Sequence, residues 1–553
     1  MDYTYEAGPF RQYFEENFTW TAGFLRSVRK YPDSPAMIDP QRGKTWTYAQ
    51  LYAAAQRLAA GFQKAGVSCG DVVLYQLYNS AEFALCYVAP QLLGAVNSPV
   101  NFNLSAGETA RLLDRDRPKV YIYDRDFQGM AVRALELCTH KPALVLAVDV
   151  RGNGTQVPEG HCDFQAFLGQ NPEKPEGPEP LIDIYTETTR FCTSGTTGTP
   201  KGVPVNHVNE VLTAHENMIT YGLRHGDVTM NMTPWFHRGG LHLGGPCPTF
   251  YAGACLVILR MFSPKQCFEY VQRYGVTFLI GVPSALTKLA ARQEKHPVDL
   301  SHLRGIITMG SPLQKQECRR FQQLLTEQIF NGYGTTETFF NSMLYPETLE
   351  EKAGSAGLAC NDDEIRVVAI RENDRTEPEE LIPMDGTTRG EVIIRPGGQS
   401  ALTYLRNPEE TQQRYYKGWY YTRDIATWDR EGYITICGRR DDMIVCMGEN
   451  IFPAQVEAVL EGFEKVQDSM VVGVSDVSRG QAVAAYVIPA DPDLTVRELN
   501  RFCVESDELA GYMCPRYYVL TDTLPYTSNG KKQHARLRKQ AEEDLAAGKL
   551  LRP

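Results

Sequence analysis

The chain has 553 residues, of which 43% are apolar and 22% charged, and its formal net charge is −11. A chain of this length exceeds one compact core, so we expect two or more domains, and the composition excludes a disordered protein. The acidic balance argues against nucleic acid or an anionic membrane as the main partner, although it leaves room for a local phosphate pocket.

Fourteen cysteines are spread along the chain without a CxxC pair or a metal-ligand spacing. We interpret them as reduced thiols that pack inside a cytoplasmic protein. The first residues, MDYTYEAGPFRQYFEENF, include acids and lack the apolar core of a signal peptide. No apolar run reaches the length of roughly eighteen residues that a membrane span needs.

The first third of the chain alternates helix and strand patterns. The segment TYAQLYAAAQRLAAGFQKAG places Leu51, Leu58 and Phe62 on one helical face, and VVLYQL follows as a buried strand. Ser105 and Glu108 have capping-box spacing at the start of the helix SAGETARLL, and KVYIY is the next strand. This βαβα order favours a largely parallel sheet.

The same pattern resumes after a Pro/Glu-rich surface loop at 170–180. NHVNEVLTAHENMITYG predicts a helix, and ACLVIL, VTFLI and GIITMG predict strands. SPKQCFEYVQRYG predicts a helix with Ser263 as N-cap and Pro264 in its first turn. After about residue 360, short strands such as EIRVVAI and GEVIIRP indicate a small β-rich subdomain, and an α+β segment follows from about residue 442.

The segment CTSGTTGTPKGVP at 192–204 is the first candidate for a binding site. Its glycines free backbone N–H groups for an anion, its hydroxyl groups add donors, and Lys201 adds a positive charge, so phosphate suits it. The Walker pattern cannot be fitted here, which disfavours a kinase or a P-loop NTPase. Taken alone, the segment is equally compatible with an exposed flexible loop.

Five stretches, all in family order, resemble motifs of the adenylate-forming superfamily, which contains acyl-CoA synthetases, peptide-synthetase adenylation domains and beetle luciferases. They are TSGTTGTPKG (193–202), NGYGTTE (331–337), GWYYTRD (418–424), GRRDDMIVCMGENIFPAQVE (438–457) and LPYTSNGKKQ (524–533). The fourth is most similar to that of aryl-CoA ligases such as the chlorobenzoate–CoA ligases. The resemblance covers nearly the whole chain.

The resemblance implies an α/β fold. A large N-terminal domain of two αβαβα sheet subdomains plus a small β-barrel is followed by a mobile α+β C-terminal lid domain. We expect the AMP-binding domain at 1–438, with its β-rich subdomain at about 353–436. A hinge at 439–441 then leads to the mobile domain at 442–553.

The implied enzyme is an AMP-forming acyl-CoA synthetase, an acid–thiol ligase that uses ATP, Mg²⁺ and coenzyme A. A carboxylate attacks the α-phosphate of ATP to give acyl-AMP and pyrophosphate, and CoA then forms the thioester. One alternative is transfer to a carrier-protein thiol or another acceptor. A second is an ATP-binding module without catalysis, against which Lys201, Lys531 and Glu337 argue. A homodimer, and a lysine acetyltransferase acting at Lys531, are candidate partners.

The resemblance assigns the nucleotide site. Glu337, beside Thr336, holds Mg²⁺, Tyr333 stacks on adenine, and Asp424 accepts both ribose hydroxyls. Lys531 stabilises the charge that develops during adenylation. Ordinary packing for Tyr333 and an exposed tail for Lys531 are the plain alternatives. The nucleotide-binding set is Thr193, Ser194, Gly195, Thr196, Thr197, Gly198, Lys201, Gly310, Ser311, Asn331, Gly332, Tyr333, Gly334, Thr335, Asp424 and Arg439.

The resemblance also assigns the carboxylic acid and CoA sites. His237 gates the tunnel or orients the carboxylate, Gly448 approaches the pantetheine arm, and Asp441 is the hinge. The catalytic set is Lys531, His237, Thr336 and Glu337, and the acyl pocket is Trp235, Phe236, His237, Leu241 and Phe339.

The identity of the acid depends on the residues near Phe236. We find no aspartate there to meet an α-amine, so an apolar aromatic or medium-chain acid is favoured over an α-amino acid. Arg238 pairs with a second acidic group of the substrate or, as the plainer interpretation, lies at the surface. Arg423 stands where the family often has glycine, and its role is open.

Overall fold

We describe a computed structural model of the chain. It describes residues 7–152, 154, 156–177, 180–193, 201–310, 313, 315–371, 375–446, 449–476, 479–506, 508–527 and 531–553, with the backbone alone at Asn450. The chain divides into two compact units. Unit one comprises Met1–Glu364 and Arg395–Tyr420, and unit two comprises Ile365–Ile394 and Tyr421–Pro553.

The first part of unit one builds a seven-stranded sheet. Its elements are α1 (Ala7–Asn17), α2 (Trp20–Lys30), β1 (Pro35–Asp39), β2 (Lys44–Thr47), α3 (Tyr48–Lys64), β3 (Val72–Gln76), α4 (Ala81–Gln91), β4 (Val96–Pro99), α5 (Ala106–Asp116), β5 (Val120–Asp124), α6 (Gln128–Leu137), β6 (Leu144–Val148), β7 (Cys162–Asp163), α7 (Phe164–Gln170), β8 (Glu187–Thr193) and β9 (Lys201–Asn206). The sheet order is β7-β6-β5-β3-β4-β8-β9, with parallel neighbours except in the β8–β9 hairpin.

The second part of unit one builds a nine-stranded sheet together with β1 and β2. Its elements are α8 (His207–Thr220), β10 (Val228–Asn231), α9 (Arg238–His242), α10 (Pro246–Tyr251), β11 (Cys255–Val257), α11 (Pro264–Tyr274), β12 (Phe278–Gly281), α12 (Pro283–Lys295), β13 (Gly305–Met309), α13 (Lys315–Leu324), β14 (Ile329–Tyr333), β15 (Ser342–Leu344), α14 (Leu349–Lys352) and β16 (Leu358–Ala359). The order is β16-β15-β14-β13-β12-β10-β11-β1-β2, and the central neighbours are parallel.

The remaining elements are mostly strands, and β17, β18 and all elements from β20 onwards lie mainly in unit two. They are β17 (Glu364–Val368), β18 (Gly390–Arg395), α15 (Pro408–Arg414), β19 (Tyr415–Tyr416), β20 (Trp419–Trp428), β21 (Ile434–Arg439), β22 (Ile444–Cys446), β23 (Glu449–Ile451), α16 (Pro453–Glu461), β24 (Val466–Asp476), β25 (Gly480–Pro489), α17 (Val496–Glu505), β26 (Tyr517–Leu520) and α18 (His534–Ala546). In unit two, β23-β22-β25-β24 form a sheet to which β26 adds in parallel beside β25.

The helices and strands predicted in the first third of the chain are present as α3, β3, α5 and β5. Leu51, Leu58 and Phe62 of α3 are fully buried on one face. Ser105 and Glu108 form the predicted reciprocal capping box of α5. Ser263 takes the cap position before α11, as predicted, but its hydroxyl makes no capping hydrogen bond.

One apolar cluster of unit one draws on both sheets. It contains Met37 and Leu256 of the nine-stranded sheet and Val73 and Ile122 of the seven-stranded sheet. Because the two sheets share this core, the loops at their edges have a fixed base. The predicted α/β class with a larger N-terminal and a smaller C-terminal part is confirmed, while the exact domain bounds stay a prediction. Within the described residues, we find no helix whose length and apolarity would let it cross a membrane.

Candidate active site

The β8–β9 hairpin carries the glycine-rich segment. Thr193 ends β8 and lies directly opposite Lys201, which begins β9. The hairpin register therefore brings the two ends of the predicted phosphate loop together. Seven predicted residues lie outside the described part of the chain, namely Ser194, Gly195, Thr196, Thr197, Gly198, Ser311 and Gly448.

Lys201 is partly buried and already has an anionic neighbour. Its Nζ atom lies 2.5 Å from Oε1 of Glu410 in α15. The same ammonium group lies 5.4 Å from the ring centroid of Tyr404. The carboxylate of Glu410 and the aromatic face of Tyr404 thus hold Lys201 at the point where the loop joins β9.

The second motif begins at the carboxyl end of β14 and turns back sharply. A Cβ atom on Gly334 would lie 1.6 Å from the carbonyl oxygen of Phe339, so this close approach requires glycine. The N–H of Phe339 donates to the carbonyl of Thr335 at 2.8 Å. Phe339 itself has φ of +69°, a strained backbone for an aromatic residue.

The predicted adenine residues meet at neighbouring strand ends. Met309 of β13 pairs with Gly332 of β14, so Gly310 and Tyr333 follow at the same edge of the sheet. Nδ2 of Asn331 donates to the Ser355 carbonyl at 3.1 Å. Its buried Oδ1 has no hydrogen-bond partner within the described part of the chain. An amide acceptor near the carboxyl ends of parallel strands is well placed for a nucleobase amino group.

Glu337 is a buried carboxylate, 7% exposed, held by a tyrosine hydroxyl. Tyr404 Oη donates to its Oε1 at 2.5 Å, and the same hydroxyl lies 3.3 Å from Oη of Tyr420. Arg414 in turn donates to Tyr420 at 3.3 Å. A carboxylate fixed in this way fits Mg²⁺, which prefers few carboxylates together with phosphate oxygens and water.

Arg238 is buried and holds the backbone of this motif. Its Nη1 donates to the carbonyl oxygens of Thr336 at 2.7 Å and Glu337 at 3.1 Å. Nη2 donates to the Gln399 carbonyl, and Nε donates to Nδ1 of His242 at 3.2 Å. The surface interpretation of Arg238 is therefore wrong. Burial lowers the pKa of Arg238 to about 10, so the group is still charged at neutral pH.

His242 and Glu210 continue this arrangement into the core. Because Arg238 donates to Nδ1 of His242, the ring proton lies on Nε2, which is 3.0 Å from Oε2 of Glu210. Glu210 accepts hydrogen bonds from Tyr87 and Thr189, both at 2.6 Å. Burial opposes the charged form of Glu210, but His242, helped by the hydrogen bond from Thr189, outweighs it and lowers the pKa of Glu210. Since Thr189 lies on β8, the network links the phosphate hairpin to the Glu337 motif.

Three of the predicted acyl-pocket residues, Trp235, Phe236 and Leu241, belong to the main core. Trp235 is fully buried, its ring lies 5.5 Å from that of Phe83, and its backbone N–H donates to Oδ1 of Asn79 at 2.8 Å. Leu241 is also fully buried in the same cluster. Their side chains are therefore enclosed by protein in the described structure.

Phe236, His237 and Phe339 form aromatic contacts, and the side chains of Phe236 and Phe339 are buried. The ring of Phe236 lies 4.2 Å from that of His237 and 5.1 Å from that of Phe102. The ring of Phe339 lies 5.4 Å from the Arg238 guanidinium. The structure thus brings Phe236 and His237 together, next to further aromatic surface from Phe102.

In unit two, the predicted ribose residues lie opposite each other. Asp424 of β20 pairs with Arg439 of β21, and Nε of Arg439 lies 3.3 Å from Oδ1 of Asp424. Arg423 has φ of +61°, a conformation that glycine adopts without strain. Its Nη1 donates to Oδ1 of Asp441 at 3.2 Å. Arg423 therefore forms an ion pair with the predicted hinge residue.

The predicted hinge residue has a second partner. Asp441 lies in a short 3-10 helix, Arg440–Asp442, and its carbonyl accepts from Nη2 of Arg538 at 2.9 Å. Nη1 of Arg440 lies 3.1 Å from Oε2 of Glu391. Three arginines therefore fix this segment within unit two.

The two lysines of the last motif differ in surroundings. Lys531 is exposed. The side chain of Lys532 is only 21% exposed, and its Nζ lies 2.6 Å from Glu461 and 3.0 Å from Glu457. Of the two lysines, Lys532 is therefore the one held by carboxylates, and the catalytic role of Lys531 stays a prediction.

Profiles of two protein families match the chain. The family described as AMP-binding enzyme matches residues 24–405, and the one described as AMP-binding enzyme C-terminal domain matches residues 455–531. The first match alone covers more than half of the chain. The chain belongs to the AMP-binding enzyme family.

Alignments with similar proteins span almost the whole length of this AMP-binding enzyme. Indoleacetate–CoA ligase of Aromatoleum aromaticum is 30% identical over 90% of this chain and 94% of its own length. A 4-chlorobenzoate–CoA ligase of an Arthrobacter species is 28% identical over 93% of both chains. The crystal structure of the anthranilate–CoA ligase AuaEII with anthranoyl-AMP has a TM-score of 0.84 at 24% identity, covering 98% of this chain and 100% of that one. This last likeness confirms the fold.

Several residues at the site of this AMP-binding enzyme were not found from sequence. Tyr404 and Glu410 lie far along the chain from the residues that they contact, Glu337 and Lys201. No spacing of residues in the local sequence predicts such long-range contacts. The one usable signal was the i,i+4 spacing of Arg238 and His242 in FHRGGLH, which places them on one helical face.

Proposed function

We propose that this AMP-binding enzyme is an ATP-dependent carboxylate–CoA ligase for an apolar, aromatic or medium-chain acid. The acid and ATP give acyl-AMP and pyrophosphate, and CoA then takes the acyl group as a thioester. The observation that carries the proposal is the nearly full-length similarity to acid–CoA ligases, with all five motifs present in family order.

The phosphate residues supply positive charge and hydrogen-bond donors. Lys201, together with Thr193 and the loop hydroxyls, binds the β- and γ-phosphates. Glu337, beside Thr336, would hold Mg²⁺, which neutralises phosphate charge when bound. The buried Arg238 network supports this role because it fixes the backbone on both sides of the Glu337 peptide.

A second group of residues binds the adenine base and the ribose of ATP. Tyr333 stacks on adenine, and the amide of Asn331, with Gly310 at the next strand end, lines the edge of the base. Asp424 accepts both ribose hydroxyls, and Arg439 holds that carboxylate in place. The remaining residues of the motif, Gly332, Gly334 and Thr335, shape the turn.

Lys531 carries the adenylation step. Its ammonium group stabilises the charge that develops on the carboxylate and phosphate oxygens during attack. His237, in contact with Phe236, orients the carboxylate. For the second step, Asp441 acts as the hinge and Gly448 approaches the pantetheine arm.

The acid is bound by apolar surface. The predicted pocket is built from the aromatic rings of Phe236, His237 and Phe339, and the guanidinium of Arg238 is already engaged by three carbonyl groups. This engagement argues against recognition of a second carboxylate by Arg238. The names of the similar ligases, which act on indoleacetate and 4-chlorobenzoate, support an aromatic acid.

The cellular setting is also part of the proposal. All fourteen cysteines are free thiols, which suits a reducing cytoplasm. A homodimer and acetylation of Lys531 remain predictions.

Pyrophosphate exchange tests the first step, and thioester formation tests the second. A panel of benzoate-like, indole-type and medium-chain acids, each with its ω-carboxylated analogue, is assayed with ATP and Mg²⁺, with and without CoA. We expect exchange without CoA, a thioester with CoA, and preference for the plain acid. Exchange without a thioester would point to another acceptor, and preference for the dicarboxylates would contradict the apolar pocket.

A further inference from the structure

A cluster of carboxylates in unit two separates the two neighbouring lysines. Glu457 and Glu461 lie four residues apart on α16 and therefore on one helical face. Together with Asp468 of β24, they surround the ammonium group of Lys532, which lies 3.8 Å from Oδ1 of Asp468. Lys531, one residue earlier, is exposed.

The extended backbone explains why the two lysines face apart. Lys532 forms an antiparallel β-bridge with Tyr526. Successive side chains of an extended segment point to opposite faces, so the inward position of Lys532 turns Lys531 outward. A shift of one residue would exchange the two lysines, and their ammonium groups are chemically alike.

Specific contacts exclude this exchange. The N–H of Lys531 donates to Oγ1 of Thr527 at 2.9 Å, and the N–H of Thr527 donates to the Lys531 carbonyl at 2.8 Å. Further along, Nε2 of His534 lies 2.7 Å from Oε1 of Glu457. These contacts define one register on both sides of Lys532.

We propose that Lys532 and Thr527 are positioning residues for acyl-AMP formation. The carboxylate cluster binds the ammonium group of Lys532, and Thr527 fixes the register of the backbone. Lys531 is therefore the lysine directed to the reacting oxygens. This inference rests on the proposed function, which assigns Lys531 to adenylation. Lys532 and Thr527 act through Lys531 and do not touch the substrate.

The main test is Thr527→Val, which keeps the side-chain shape and removes the hydroxyl that accepts from Lys531. We expect kcat for adenylation, measured by pyrophosphate exchange, to fall about tenfold with KM for ATP unchanged. Thioester formation from supplied acyl-AMP should stay within about twofold, because Lys531 acts in the first step only.

Variants of Lys532 give a second, independent measurement. Lys532→Met leaves the carboxylates without their cation, so we expect a larger loss in adenylation and a lower unfolding midpoint. Lys532→Arg keeps the charge and should restore adenylation to within about threefold of wild type. Rescue by arginine distinguishes positioning through the ion pairs from a general loss of packing.

Lys465 provides a matched control in the same unit. Its Nζ lies 2.8 Å from Glu498 and 3.4 Å from Asp491, so it too bridges two carboxylates. Lys465→Met should leave both half-reactions unchanged. Full adenylation by Thr527→Val, or equal losses in both half-reactions, would overturn the inference alone. Wild-type enzyme without exchange for any acid would overturn the proposed function and the inference with it.

Discussion

At the scale of single residues, Arg238 connects parts of unit one that are distant in sequence. It donates to the backbone carbonyls of Thr336, Glu337 and Gln399. Through His242 it reaches Glu210, which accepts from a threonine of β8. The side chain therefore sets the position of a motif to which it does not belong.

Replacing Arg238 should disturb that motif through the backbone carbonyls that Arg238 contacts. Arg238→Met leaves the carbonyls and His242 without their donor, so we expect adenylation to fall at least about tenfold and KM for Mg-ATP to rise. Removing one member of a buried charged network should also lower the free energy of unfolding by about 3 kcal/mol. Steady-state kinetics and chemical denaturation measure the two effects.

Arg304 is the matched control for this prediction. It is paired with Asp227 at 2.6 Å and precedes β13, at the opposite end of that strand from Gly310. Arg304→Met should lower stability and leave the kinetic constants of the folded enzyme unchanged. An Arg238→Met enzyme with wild-type constants would refute the positioning role.

Lys531 is predicted to act in one half-reaction. Lys531→Ala removes a donor aimed at developing charge, a loss of about 3–4 kcal/mol or two to three decades in the adenylation rate. Thioester formation from supplied acyl-AMP should be much less affected. Single-turnover assays of each half-reaction make the comparison, with Lys539→Ala, another exposed lysine, as the control. Equal damage to both steps would argue against the assignment.

The residue scale also shows the limit of sequence reasoning. Lys201 and Glu337 could be proposed as site residues because each stands in a local pattern whose chemistry can be read directly. Arg238 was interpreted as a surface residue, because nothing near it in sequence reveals the carbonyls that it meets about 100 residues later. Long-range backbone contacts leave no spacing signal, so such positioning residues require the three-dimensional structure.

At the scale of elements, local signals were reliable. The capping box of α5 and the buried face of α3 depend on residues within a few positions, and the structure has both. The role of α16 was not predicted. Its two glutamates bind Lys532 and His534, which lie more than 70 residues further along the chain.

The α16 cluster predicts a pH dependence of stability. Burial opposes the charged form of Glu457, but Lys532 and His534 outweigh it and lower its pKa to about 2 from 4.5. The contribution of Glu457 is therefore complete above pH 4.5 and is lost as the pH falls towards 2. For His534, burial is outweighed by Glu457, which raises its pKa above 6.5. That contribution is complete below pH 6.5 and is lost as the pH rises through the folded pKa.

Glu457→Gln should reveal both the loss of stability at acidic pH and the loss at alkaline pH. The stability difference between wild type and variant should be greatest between about pH 5 and 6.5, near 3 kcal/mol from the shift in pKa of Glu457, and should shrink on either side. Denaturant unfolding followed from pH 3 to 8.5 measures it, with Glu498→Gln as a control for an exposed pair. A difference that does not vary with pH would contradict the electrostatic account.

At the scale of the whole molecule, the predicted hinge at 439–441 lies within unit two. In this unit Arg423 pairs with Asp441, Arg440 with Glu391, and Arg538 with Asp442. The proposed movement of the lid between the two half-reactions must therefore change contacts of several arginines. The resemblance could indicate the hinge, but these ion pairs could not be foreseen, since Arg423 departs from the family pattern.

Fixing the backbone at the hinge should separate the half-reactions. Asp441→Pro restricts φ and so hinders the swing of the lid. We expect acyl-AMP formation to survive and transfer to CoA to fall. Asp441→Ala, which removes the Arg423 ion pair without restricting φ, is the control and should retain both steps. Wild-type rates for both steps in the proline variant would place the hinge elsewhere.

The contact between Lys201 and Glu410 has a consequence for turnover. If Lys201 binds the terminal phosphates of ATP, the nucleotide must displace Glu410, and the measured affinity is the difference between two ion pairs. After pyrophosphate departs, the carboxylate recaptures the ammonium group. Under this assignment of Lys201, Glu410 would compete with pyrophosphate for the ammonium group, weaken the binding of this product and return the lysine to the same position for the next cycle.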